Sequence, residues 1–188
     1  MLRTLQIISI FHMNVIYKFE NCLVNVLETV NKYNEKFNEI PDHFGQVMAA
    51  DEYVCTYSKI FKLYPNNDEM LHQLSRDADI YLFTYFDLDI VRNILSNLDC
   101  LDIFSEIVQV NYFEDDVFSE ILKQWAVRDS SQSNLNYYVA DQLADYRRAE
   151  SLKFKFIHAK WSDYADKSTF PNSVMNCRDG YDLVDILL

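Results

Sequence analysis

The stretch NVIYKFENCLVNV, residues 14–26, decides how the rest of the chain is read. Val15 to Phe19 is a short, β-prone apolar run broken only by Lys18, and the residues after it are polar enough to turn. Apolar residues then return at helical spacing, at Leu23, Val26, Leu27, Val30, Tyr33 and Phe37, until Pro41. A buried strand, a polar turn and a helix form the unit by which a sheet presents side chains at a strand end. Lys18 holds the presenting position, and Glu20 is the next outward one.

Working outward, the same alternation recurs. IYLFT (80–84) is fully apolar until its last residue, as suits a strand buried on both faces. A helix follows with Ile90, Val91, Ile94 and Leu95 inward, and Asp87 or Asp89 is placed to cap it. EIVQV (106–110), YYVAD (137–141) and FKFIHAKW (154–161) read as further strands, the last with alternating polarity. Helices are expected over 116–125, 144–152 and 181–188, with a short strand at SVMN (173–176). Strands alternating with amphipathic helices predict an α/β fold on a mostly parallel sheet. Residues 26–63 are helical in pattern and contain no strand, so they read as a small helical cap inserted after the first strand. The core is then 1–25 and 64–188. In that cap Tyr53, Tyr57 and Phe61 fall at i, i+4, i+8, one helix stripe that either packs on the cap itself or faces a second copy or partner.

Composition excludes several classes. With 17 basic and 29 acidic residues the net charge is −12, a surface that repels nucleic acid and anionic membranes. Only two glycines occur, Gly45 and Gly180, so no glycine-rich phosphate or dinucleotide loop can be built. Cys22, Cys55, Cys100 and Cys177 are far apart and read as buried free thiols of a reducing compartment. The four histidines have no metal spacing. The apolar run at 5–11 is short, contains Gln6 and Ser9, and lacks a small-residue cleavage site, so no signal peptide is expected and a cytoplasmic location is the default.

In parallel sheets ligands bind beyond the carboxyl ends of the strands. Those ends carry Lys18 and Glu20, then Thr84, then Asn111 and Tyr112, then Asp141 with Asp145 four residues on. Such residues either cap helices and face water or converge on one phosphate or metal site.

Taken in order, these segments resemble the haloacid dehalogenase (HAD)-like hydrolase superfamily from about residue 14 to 188. VIYKFENCLVNV (15–26) is similar to its first motif, an apolar strand followed by Asp-x-Asp-Gly-Thr-Leu-Val. LYPNNDEMLHQL (63–74) and IYLFT resemble the passage into the second motif and its threonine. LDIFSEIV (101–108) resembles the helix-to-strand passage that follows. YYVADQLADYRRAESLKFKFIHAKW (137–161) resembles the fourth motif. The resemblance implies a Rossmann-like core with an inserted cap.

It also implies altered chemistry. Lys18 stands at the position of the nucleophilic aspartate and has no carboxylate to phosphorylate. Glu20 stands at the acid/base position, Asn21 at the motif glycine, and Cys22 at the motif threonine. Tyr112 falls at the motif lysine, with Lys123 the other candidate for that role. Asp141 and Asp145 remain at the metal positions. The resemblance thus points to a HAD-like protein without phosphatase activity, a pseudoenzyme acting as a binding or regulatory module and needing no cofactor. The alternative is a divergent hydrolase of a small phosphomonoester that uses Mg2+. Lys18 is read as an ammonium that replaces the metal among Glu20, Asp141 and Asp145; anion binding by Lys18 with Thr84, or a nucleophilic Lys18, are the other readings. A protein partner or self-association through the cap is expected, with neither nucleic acid nor membrane as partner.

Overall fold

The computed structural model describes residues 13–34, 36–111, 115–127, 135–162 and 164–188. Six parallel strands form one sheet: β1 (Met13–Lys18), β2 (Ala78–Thr84), β3 (Glu106–Gln109), β4 (Leu135–Ala140), β5 (Lys155–Ala159) and β6 (Met175–Cys177), in the order β3-β2-β1-β4-β5-β6. The order reverses between β1 and β4, and in such sheets the crevice at that reversal is where ligands sit. Lys18 ends β1 and Asp141 follows β4, so the two flank it.

Every residue of β1 is buried, because this central strand is covered on both faces. Side chains alternate along it. Asn14, on the face of Ile16 and Lys18, donates to the carbonyl of Trp125 in α5 (Asp115–Val127) and to Asn136 Oδ1. That face is filled by rings: Tyr81 stacks on Trp125 with centroids 4.8 Å apart, and Phe83 meets Phe118 and Tyr138. β5 departs from the alternating polarity expected of it. Phe156, Ile157, His158 and Ala159 are all buried, since the loop after β5 covers its second face with Phe170, whose ring lies 4.2 Å from that of His158.

Between β1 and α3 (Asn67–Leu74) the chain makes a helical excursion, α1 (Val26–Tyr33) and α2 (His43–Thr56) with single 3-10 turns at Phe37–Glu39 and Ser58–Ile60. It leaves and returns side by side: Val24 bridges Leu63, Asn25 N–H donates to the Lys62 carbonyl, and Tyr64 N–H donates to that of Leu23. Leu23 and Val24 are therefore not helical, and α1 starts later than its apolar spacing predicts. The expected aromatic stripe is broken for a similar reason. α2 ends at Thr56, so Phe61 turns inward and is buried while Tyr57 stays exposed. Cys55 is also exposed, unlike the other three thiols. Among the described residues no helix is long and apolar enough to cross a membrane; residues 1–12 lie outside them.

The last helix, α7 (Gly180–Leu187), packs its start against the turn that opens α3. A Cβ on Gly180 would lie 2.7 Å from the Asn66 carbonyl oxygen, a backbone atom that cannot swing aside. Gly180→Ala is expected to cost about 1–3 kcal/mol through this overpacking. Thermal melting of the variant beside Gly45→Ala, whose added methyl meets the Ile40 and Asp42 side chains, measures it.

Candidate active site

The site is assembled from strand ends. Lys18 is 1% exposed, and its ammonium sits 2.7 Å from Asp141 Oδ1 and 3.2 Å from Asp145 Oδ2. Asp145 lies on α6 (Leu143–Ser151), and its other oxygen accepts from Arg148 at 3.1 Å. Gln142 donates to Asp141 Oδ2, and the ring of Tyr85 covers the ammonium at 5.7 Å. Two cations and two carboxylates thus close on one another, with Lys18, Asp141 and Asp145 out of water and Arg148 at the edge. Burial opposes the charge on Lys18, but Asp141 and then Asp145 outweigh it and hold its pKa well above 10.5. Burial likewise pushes the Asp141 carboxyl up, and the Lys18 ammonium pulls it below 3.8.

Glu20 does not join this group. Beyond Phe19 the chain turns through Asn21, whose φ of 57° is left-handed, as suits an asparagine in a glycine's place. The turn carries the Glu20 carboxylate toward β2. There Oε1 accepts from the Thr84 hydroxyl and from Tyr85 N–H at 2.7 Å, and Phe86 N–H donates back to Thr84 Oγ1. Burial raises the Glu20 pKa above 4.5 against these hydrogen bonds. Asn21 Oδ1 accepts from Leu27 N–H, which ties the turn to α1.

Of the remaining candidates, Tyr112 lies outside the described residues. Lys123 pairs with Glu120 on the exposed face of α5, away from the rim. Asp87 caps α4 (Leu88–Asn97) by accepting from Asp89 and Ile90 N–H. Sequence reasoning missed Arg148, Tyr85 and His43. His43 opens α2 within electrostatic range of Lys18, Asp141, Asp145 and Asp166, and burial lowers its pKa from 6.5. An Arg three residues after Asp145 was a readable i,i+3 signal; nothing in the sequence marks the other two.

A divalent ion at Asp141 and Asp145 needs several oxygens open to it at once. Each aspartate already gives an oxygen to Lys18, and among the described residues no three His, Cys, Asp or Glu side chains converge on a common point. The residues present do not fit the ion.

No protein-family model and no curated protein matches the chain by sequence. Its structure, however, is similar to a haloacid dehalogenase-like hydrolase of Streptococcus pneumoniae, at 14% identity and TM-score 0.69 over 96% of this chain and 99% of that one. The chain has the haloacid dehalogenase-like fold. Two further structures agree. One is a predicted phosphoglycolate phosphatase of Haemophilus somnus (16% identity, TM-score 0.65, 96% of this chain and 100% of the other). The second is the L-2-haloacid dehalogenase of Xanthobacter autotrophicus (12%, 0.62, 93% and 97%). In this fold the crevice between β1 and β4 lies beside the Lys18 ion pairs, which gives those residues their place at the rim.

Proposed function

We propose that this HAD-like protein is a binding or regulatory module that does not hydrolyse phosphate esters. The observation that carries the reading is the buried ammonium of Lys18 between Asp141 and Asp145. An amine held by two carboxylates stays protonated and is no nucleophile. It also occupies the carboxylates that a metal would need, and so takes over the metal's role of neutralising them. Glu20 and Thr84, bonded to each other, serve here to join the ends of β1 and β2. The structural neighbours that are named hydrolases support the rival reading, a divergent enzyme acting on a small phosphomonoester with Mg2+.

The test is turnover of p-nitrophenyl phosphate with Mg2+, alongside a calorimetric Mg2+ titration. The wild type is expected to show neither turnover above background nor heat of binding at millimolar metal. Magnesium-dependent turnover that disappears in Asp141→Asn would overturn the proposal. A Lys18→Asp, Tyr112→Lys double variant serves as the companion: activity in it alone identifies an intact scaffold whose chemistry has been removed.

A further inference from the structure

Beside the ion-pair centre a cleft of about 780 Å³ opens between α2 and the loops after β2 and β3. Phe44, Met48 and Asp51 line one wall, and Tyr85, Phe86 and Asp87 the other. No lysine, arginine or histidine lines it among the described residues. Lys18 does not supply the missing positive charge, because it is buried behind the Tyr85 ring and taken up by two aspartates. Asp51 and Asp87 are both exposed, come from different elements, and line this same cleft. The two carboxylates therefore share one mouth.

An anion entering this cleft meets two carboxylates and no cation. A cation meets those carboxylates, which attract it. Beside the charges and the polar Gln109 and Asn111 part of the wall is apolar: Met48 is 60% exposed, Val47 and Val110 lie deeper, and an exposed thioether adapts to varied shapes. The geometry points to the cleft as a docking site for a partner protein that presents a basic side chain, arginine or lysine, next to an apolar residue. A free polyamine satisfies the carboxylates but has no apolar body to cover Met48 and Phe44, so a protein segment is the occupant that matches both halves of the surface. The inference rests on the binding-module reading, and names what is bound.

Calorimetry at low salt with a capped leucine–arginine peptide tests it, beside a leucine–glutamate peptide of the same length, spermidine, and the Asp51→Asn, Asp87→Asn double variant. Asparagine caps a helix as well as aspartate, so α4 is preserved in the variant. The arginine peptide is expected to bind the wild type and to bind the double variant about tenfold more weakly, the sum of two partly exposed ion pairs. The glutamate peptide is expected not to bind. Equal binding of both peptides, no binding of either, or affinity unchanged in the double variant would overturn the inference. Spermidine binding as tightly as the peptide would overturn the choice of a protein partner. Turnover of p-nitrophenyl phosphate is read separately, so a failed docking site is distinguishable from a failed pseudoenzyme reading.

Discussion

Lys18→Met lowers folding stability by about 3–5 kcal/mol, the expected cost of removing one partner from a buried ion pair. Methionine approximates the length and volume of the lysine stem, so little of this loss comes from a cavity. Asp145 keeps Arg148, but Asp141, 0% exposed, keeps among the described residues one side-chain hydrogen bond, from the amide of Gln142. For a chain of this length about 2–4 °C of melting temperature goes with each kcal/mol, so the midpoint falls by on the order of 10 °C. The pH profile gives a sharper test than the size of the loss. In the wild type the Asp141 carboxyl titrates below its ordinary 3.8, so its share of stability is present above that value and is lost as the pH falls through the depressed one. The Lys18 share is whole below 10.5 and is lost only as the pH rises through a still higher value. Both are complete at neutrality. Without the ammonium, burial, the largest cause, outweighs His43 and the Gln142 hydrogen bond at Asp141, and its pKa moves above 3.8. The folded variant then takes up a proton more readily than the unfolded chain, and it gains stability as the pH falls from about 7 to about 4. Glu20 adds a slope of that sign to both proteins, and a larger one to the variant because Lys18 lowers its pKa. The difference between the two profiles is therefore the quantity to read, and it reports the loss of the ammonium at both carboxyls. Denaturant melts at several pH values measure it. A loss below about 1 kcal/mol, or a difference that does not grow with pH, would mean that the aspartates do not need the ammonium.

The parts of the fold that were legible are those where one local rule had no competitor. β1 and β2 each hold a three- or four-residue apolar run, Val15–Tyr17 and Ile80–Phe83, and a strand covered on both faces requires that pattern. The same rule misleads where an apolar residue is needed for something else. Leu23 and Val24 fit helical spacing, but their backbones close the base of the excursion against Leu63 and Tyr64. At the site, the order of four motif-like segments brought Lys18 and Asp141 to one rim although 123 residues separate them. Periodicity has no reach over that distance. It was also unable to say which carboxylate the ammonium takes. Strand alternation would put Glu20 on the face of Lys18, but alternation stops at Phe19, and the left-handed Asn21 sends Glu20 to Thr84 instead. Tyr85 and His43 owe their positions to a loop and to the placement of a helix, neither of which leaves a trace in residue spacing.

That change of partner makes Glu20 a bracket between strands, and substitution separates this from an acid–base role. Glu20→Ala is expected to cost about 3 kcal/mol, because it strands the Thr84 hydroxyl and Tyr85 N–H in a buried site, where hydrogen bonds to a charged group are each worth about 1.5–3 kcal/mol. Burial of the carboxylate, the cause of its raised pKa, offsets part of that gain and keeps the cost at the lower end. Glu20→Gln keeps the accepting oxygen and removes the buried charge, so it should fall within about 1 kcal/mol of the wild type. It should also remove a pH dependence. A carboxyl whose folded pKa lies above 4.5 makes the protein less stable as the pH rises from the unfolded value through the folded one, and glutamine does not titrate. Guanidinium melts at about pH 4 and pH 7 give both comparisons. If glutamine proves as damaging as alanine, the negative charge is what the site requires. Glu20 would then belong electrostatically with Lys18, which already lowers its pKa, and the carboxylate would be part of the ion-pair centre.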